Sequence, residues 1–289
     1  MRTKFLLILI LILSFKISFS QSSYTIAGVV VDSTNKKPLE YVNIGIFQKN
    51  IGTVSNNEGT FEIVIPFKHK HDSLLFSSIG YKTKRVFIPD LLNRDTNKVF
   101  LKPKRINLDE VKIISKKYTQ KVKGNKTSNE SIGLAISQSL GYGSEIGTLI
   151  KLPDKEVLLK DFNFHIYFNR PDSALFRLKI YSYNNGIDTL LVNENIIFMI
   201  KNHYTGDYKK DLLKYHIVVN KDIFVSIECL KEYTHGYDRK VNNDKFFYDR
   251  IIISAKLLGS KSFVREVSQG KWIKPEMSKS PGFWLNVLY

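Results

Sequence analysis

Between Tyr24 and Leu101 apolar residues fall into short alternating runs separated by turn formers. A period of two is the mark of a half-buried strand, and none of these runs is long enough for a helix. The pattern predicts strands over 25–31, 40–47, 60–65, 73–79, 84–88 and 99–101. Asp32, Ser33, Asn35 and Pro38 break the first pair, and Asn56, Asn57 and Gly59 provide residues tolerant of the positive φ of a tight reversal. These are the features of a small antiparallel sandwich.

The alternation returns after Ile132 with longer strands, predicted over 147–152, 157–168, 174–183, 196–201, 215–219, 223–230, 245–258 and 283–289. Eight or more strands suggest a second, jelly-roll-like sandwich over residues 131–289. Its clearest strand puts Phe162, Phe164, Ile166 and Phe168 on one side and Asp161, Asn163, His165 and Tyr167 on the other. The next strand repeats the split, with Phe176, Leu178 and Ile180 opposite Arg177, Lys179, Tyr181 and Tyr183. One side is expected in the core and the other in water, as antiparallel sheets permit.

Within the first set of strands, Gly28, Asp32, Pro38, Leu39, Val42, Asn43, Ile44, Gly52, Thr53, Ser55, Asn56, Gly59, Phe61, Ser77, Gly80 and Tyr81 occur in an order that resembles the carboxypeptidase regulatory-like domain family. The resemblance spans residues 21–103. It implies a seven-stranded, transthyretin-like sandwich without catalytic residues, used as a folding unit, spacer or docking module. The same residues have a structural reading, glycines serving turns and Val42, Ile44 and Phe61 filling the core. Leu108, Asp109, Glu110 and Val111 resemble the segment that joins such domains to the plug of TonB-dependent outer-membrane receptors, but the chain is too short for a large transmembrane barrel. The second half is loosely similar to the jelly rolls that follow regulatory-like domains in Gram-negative envelope proteins, a resemblance that implies no activity.

The N-terminus changes the setting. Met1–Lys4 is basic, residues 5–15 are apolar, and Ser18 and Ser20 are small, the pattern of a signal peptide over 1–20 cleaved before Gln21. The apolar run is shorter than the roughly 20 residues that cross a bilayer. The expected location is therefore periplasm, outer-membrane surface or medium. Loss of Arg2, Lys4 and Lys16 with the leader lowers the formal charge from +17 to +14. Ten basic residues lie between Lys98 and Lys126 against Asp109 and Glu110 alone, and 104–130 reads as a basic linker. For an exported chain its natural partner is an anionic surface rather than nucleic acid. The sole cysteine, Cys229, occupies an apolar strand position and reads as a buried thiol.

The sequence carries no recognisable catalytic pattern. The histidines form no His-Glu-x-x-His, and His69, His71 and Asp72 cluster in a basic turn with too few ligands for zinc. Ser144 lies out of register for a Gly-x-Ser-x-Gly elbow, so the surrounding glycines read as a flexible entry to the second domain. No cofactor site, metal site or catalytic set is expected. The reading is an exported, non-catalytic envelope protein in which the first domain positions the second for an envelope protein or glycan. The surface chosen for that ligand is Asp161, Asn163, His165, Tyr167, Arg177, Lys179 and Tyr181, where aromatic rings stand beside polar groups. Alternatives are a spacer attached to an anionic surface through the linker and a hydrolase of unrecognised design.

Overall fold

A computed structural model describes residues 23–92, 96–104, 118–136, 141, 143–233, 250–275 and 278–289. The signal peptide of 1–20, the connector residues 105–117 with Leu108–Val111, and the start of the strand predicted at 245–258 lie outside the described residues.

The first alternating runs form β1 (Ser23–Asp32), β2 (Asn43–Gly45), β3 (Gly52–Val54), β4 (Thr60–Pro66), β5 (Ser73–Ser77), β6 (Lys84–Phe87) and β7 (Asn97–Leu101). They build two sheets, ordered β4-β1-β7 and β3-β2-β5-β6. All pairings are antiparallel except β1 with β7. In β4 exposure alternates with the sequence, so Phe61, Ile63 and Ile65 meet Ile44, Leu74 and Phe76 in the core. Phe61 and Phe76 touch edge to face with centroids 5.5 Å apart. Strand β3 was not expected. The end of the run predicted at 84–88 instead begins a helical turn, Ile88–Leu92, which buries Ile88 and Leu91 against this core.

The second unit contains β8 (Gln120–Gly124), β9 (Gly133–Ile136), β10 (Glu145–Ile150), β11 (Val157–Asn169), β12 (Ser173–Tyr183), β13 (Ile187–Leu190), β14 (Ile196–Lys201), β15 (Gly206–Asp211), β16 (Val218–Val219), β17 (Ile223–Tyr233), β18 (Ile251–Leu257), β19 (Ser262–Arg265), β20 (Lys279–Pro281) and β21 (Trp284–Leu288). A six-stranded sheet runs β13-β12-β17-β10-β19, with β14 also on β12. The facing eight-stranded sheet runs β20-β18-β11-β21-β8, with β15 and β16 on β11 and β9 on β18. The chain passes repeatedly from one sheet to the other, as in a jelly roll. Phe162 and Phe164 from β11 meet Phe176, Phe198 and Phe283 between the layers, with Phe164 and Phe198 centroids 6.2 Å apart. Cys229 is buried in this core.

Part of the stretch read as a linker, residues 120–125, is built into the second sandwich. Gln120–Gly124 adds a strand to β21, so the second sandwich begins before residue 131. Asn125 follows it into the interior, its amide donating to Ser280 Oγ at 2.6 Å. The entry around Ser144 is also built in: Ser144 is buried and its carbonyl accepts from the Cys229 amide at 2.9 Å. No described helix is long and apolar enough to cross a membrane.

Candidate functional site

Strands β11 and β12 lie in different sheets, and this alone corrects the ligand surface expected from sequence. Their apolar sides face each other across one core, so their polar sides point to opposite exteriors of the sandwich. Asp161, Asn163, His165 and Tyr167 therefore cannot share a face with Arg177, Lys179 and Tyr181. Nor are most of them wet: Asp161, Asn163, Arg177 and Lys179 are buried.

On β11 the polar groups satisfy one another. The Asp161 carboxylate accepts from the amides of Asn163 at 2.6 Å and Asn286 at 2.7 Å. His165 Nδ1 lies 2.7 Å from Asp207 Oδ1 and its Nε2 3.8 Å from Glu130 Oε1. Tyr167 packs over Gly133 of β9; burial and then the Glu130 charge push its phenol above its ordinary value.

On β12 the covering layer is the first domain. Arg177 is 1 % exposed and spends its donors in three directions. Nη1 reaches Glu228 Oε2 at 3.0 Å and Asn43 Oδ1 at 2.9 Å, Nη2 reaches the Tyr41 carbonyl at 2.6 Å, and Nε reaches Asn195 Oδ1 at 2.7 Å. Asn43 also donates to Glu228 Oε1. Tyr41 has φ 51°, in the left-handed region, which costs a non-glycine residue roughly 1 kcal/mol. The Arg177 bond holds its carbonyl in that conformation. Apolar contacts among Tyr41, Val54, Leu175 and Leu230 close the same junction. Gly45 and Gly52 let the domain backbones approach, since a Cβ on either would collide with the Ser268 carbonyl.

The ionic cluster continues along β12 and its neighbours. Lys179 Nζ bridges Glu228 at 2.9 Å and Glu145 at 3.1 Å, and Arg265 of β19 pairs with Glu145. Glu145 also accepts from Ser226 Oγ at 2.5 Å and from the Tyr181 hydroxyl at 3.0 Å. Three cations thus meet two carboxylates. The extra positive charge is supported by the neutral oxygens around Arg177 and by the Trp272 ring, 4.6 Å from the Arg265 guanidinium. Burial alone would raise the Glu145 pKa, but the Arg265 and Lys179 charges outweigh it and hold it at about 2. Burial and then the Glu145 charge push Tyr181 well above the usual phenol range. Arg265 is desolvated too, yet the carboxylate of Glu145 drives its pKa higher still.

General acid–base work needs a group that titrates near the working pH. Glu145 and Tyr181 are pushed away from neutrality in opposite directions, and every carboxylate oxygen of the cluster is engaged. This arrangement ties the first domain to the second. Among the described residues no group of three or more histidine, cysteine or acidic side chains could hold a metal ion. His69 is paired with Asp72 at 2.6 Å within the Phe67–His69 turn.

The family model for the CarboxypepD_reg-like domain matches residues 26–113. Residues 26–113 are a CarboxypepD_reg-like domain. Asn43 on β2 and Tyr41 in the turn before it belong to that domain, so the regulatory-like domain itself contributes to the buried junction. No curated protein sequence matches the chain. Among solved structures, a clostridial cysteine protease, Cwp84, after propeptide cleavage is similar at 11 % identity and TM-score 0.37, covering 91 % of this chain and 70 % of that one. The protease and lectin-like domains of Cwp84, a surface layer associated protein of Clostridium difficile, match at 9 % identity and TM-score 0.35, over 92 % and 58 %. Infectious bursal disease virus, Gt strain, matches at 12 % identity and TM-score 0.27, over 92 % and 59 %. Likeness at this level carries no functional argument.

Proposed function

We propose that the chain is an exported, non-catalytic cell-envelope protein whose regulatory-like domain holds the second sandwich in a fixed pose and presents it to an envelope protein or glycan. The observation that carries this reading is Arg177, a fully buried cation of the second domain whose partners include two residues of the first. Separating the domains would leave that charge and Glu228 short of partners, at a cost of several kcal/mol. Export is supported by the leader pattern at 1–20, and a non-catalytic role by the regulatory-like match over residues 26–113.

The test is calorimetric unfolding of the exported chain, together with fractionation of the host that makes it. One cooperative transition and recovery of leader-free protein in the envelope fraction or medium are expected. Two separate transitions in the unmutated chain, or an uncleaved protein retained in the cytosol, would overturn the proposal.

A further inference from the structure

At one end of the second sandwich the β12–β13 turn, the β13–β14 loop and the segment leading into β17 surround a cleft of about 590 Å³. That volume lies within the roughly 300–1,000 Å³ of small-ligand sites. Its floor is rigid, because Val192, Ile217 and Ile223 are buried in the main core. Its rim reaches the first domain, where the Asn193 carbonyl lies beside Gly80.

The mouth of the cleft is polar, and its asparagines differ from those enclosed in the fold. Asn43, Asn125, Asn163 and Asn286 all use their amides within the fold. Around the cleft, the side-chain amides of Asn184, Asn193 and Asn220 and the hydroxyls of Tyr183 and Tyr215 have no hydrogen-bond partner among the described residues. Asp222 uses Oδ1 to hold the Leu152 amide at 2.9 Å and keeps Oδ2 without a partner among those residues. Two tyrosines and four hydrogen-bonding side chains with spare capacity thus line one cavity.

Charge narrows the ligand. In a chain of formal charge +17, the lining offers Lys221 and the imidazole of His216 against Glu194 and Asp222, with Lys214 beside the Tyr215 ring. There is no basic cradle for phosphate, sulfate or uronic acid. Neutral hydroxyl-rich ligands need what is present: aromatic faces for their C–H surfaces, and amide and carboxylate groups that both give and accept hydrogen bonds.

We propose that this cleft binds a neutral oligosaccharide, with Tyr183 and Tyr215 as stacking platforms and Asn184, Asn193, Asn220 and Asp222 reading ring hydroxyls. The inference deepens the binding reading above and replaces the β11 and β12 surfaces as the place where a glycan docks.

The test is isothermal titration calorimetry of the full chain against hexasaccharides of the cello, chito and xylo series, with heparin-derived and polygalacturonate oligomers as the anionic arm. At least one neutral series is expected to bind with an affinity independent of salt. Tyr183→Ala and Tyr215→Ala should each weaken that binding by about tenfold. Asn220→Ala, an exposed change that spares the fold, should weaken it as well. Binding by no neutral series, binding unchanged in all three variants, or salt-sensitive binding of the anionic arm alone would each overturn the cleft. Failure here with a single unfolding transition leaves the fixed-pose reading standing. Two transitions overturn that reading whatever the sugars do.

Discussion

Arg177 and Glu145 mark the two ends of the buried cluster, and they fail differently. Arg177→Ala strips Glu228 of a cation and the Tyr41 carbonyl of its donor, and should lower stability by about 3–5 kcal/mol in urea unfolding. Arg177→Met, which keeps most of the volume but loses every donor, should rescue little, because the Tyr41 carbonyl and the side-chain oxygens of Asn43 and Asn195 still lose their donor and Glu228 keeps Lys179 as its one cation. For Glu145 the folded pKa is depressed below the ordinary 4.5 to about 2. Its stabilising contribution is therefore complete above about pH 4.5 and is lost as pH falls toward 2. Urea midpoints measured across that window should fall for the unmutated chain, and less steeply for Glu145→Gln. At this scale the sequence named Arg177, Lys179 and Tyr181 as notable but misjudged their setting. Period-two spacing tells which side of a strand is apolar and says nothing about what covers the other side. Here the cover includes Asn43, 134 residues away along the chain, a distance no local pattern reports.

Elements with strong alternation were legible: β1, β4, β11, β12 and β17 lie close to their predicted spans. Those missed are short, polar or glycine-bearing, such as β3, β13 and β15, and gain their strand character from a neighbour rather than from their own residues. The strand β8 is the instructive case. Its QKVKG sequence reads as a solvated basic stretch, yet it forms the outer strand of the eight-stranded sheet against β21. Lysines on an outer strand discourage pairing with another chain. Replacing both Lys121 and Lys123 with valine, beside the already exposed Val122, should promote concentration-dependent self-association, measured by light scattering after size exclusion. An unchanged oligomeric state would assign those lysines another duty.

For the whole molecule, the all-β class, the two sandwiches and the regulatory-like domain were readable from alternation and motif order, whereas their mutual pose was not. That pose depends on close backbone approach at Gly45 and Gly52 against Ser268 and on the buried bonds to Arg177. A large side chain at Gly52 acts as a wedge exactly where no space exists for it to turn aside. Gly52→Leu should therefore lengthen the maximum dimension in small-angle X-ray scattering while circular dichroism keeps its β signature. An unaltered scattering profile would mean that the junction tolerates a gap its packing argues against.

The enclosure of Asn125 bears on how the protein can be manufactured. Asn125, Lys126 and Thr127 spell an acceptor for oligosaccharyl transfer, and yeast or mammalian secretion would decorate the nascent polypeptide before β8 finds β21. A bulky branched sugar cannot then be accommodated between Thr148 and Ser280, so material from such hosts should arrive misfolded or be retained by quality control. Bacterial production avoids the obstacle altogether.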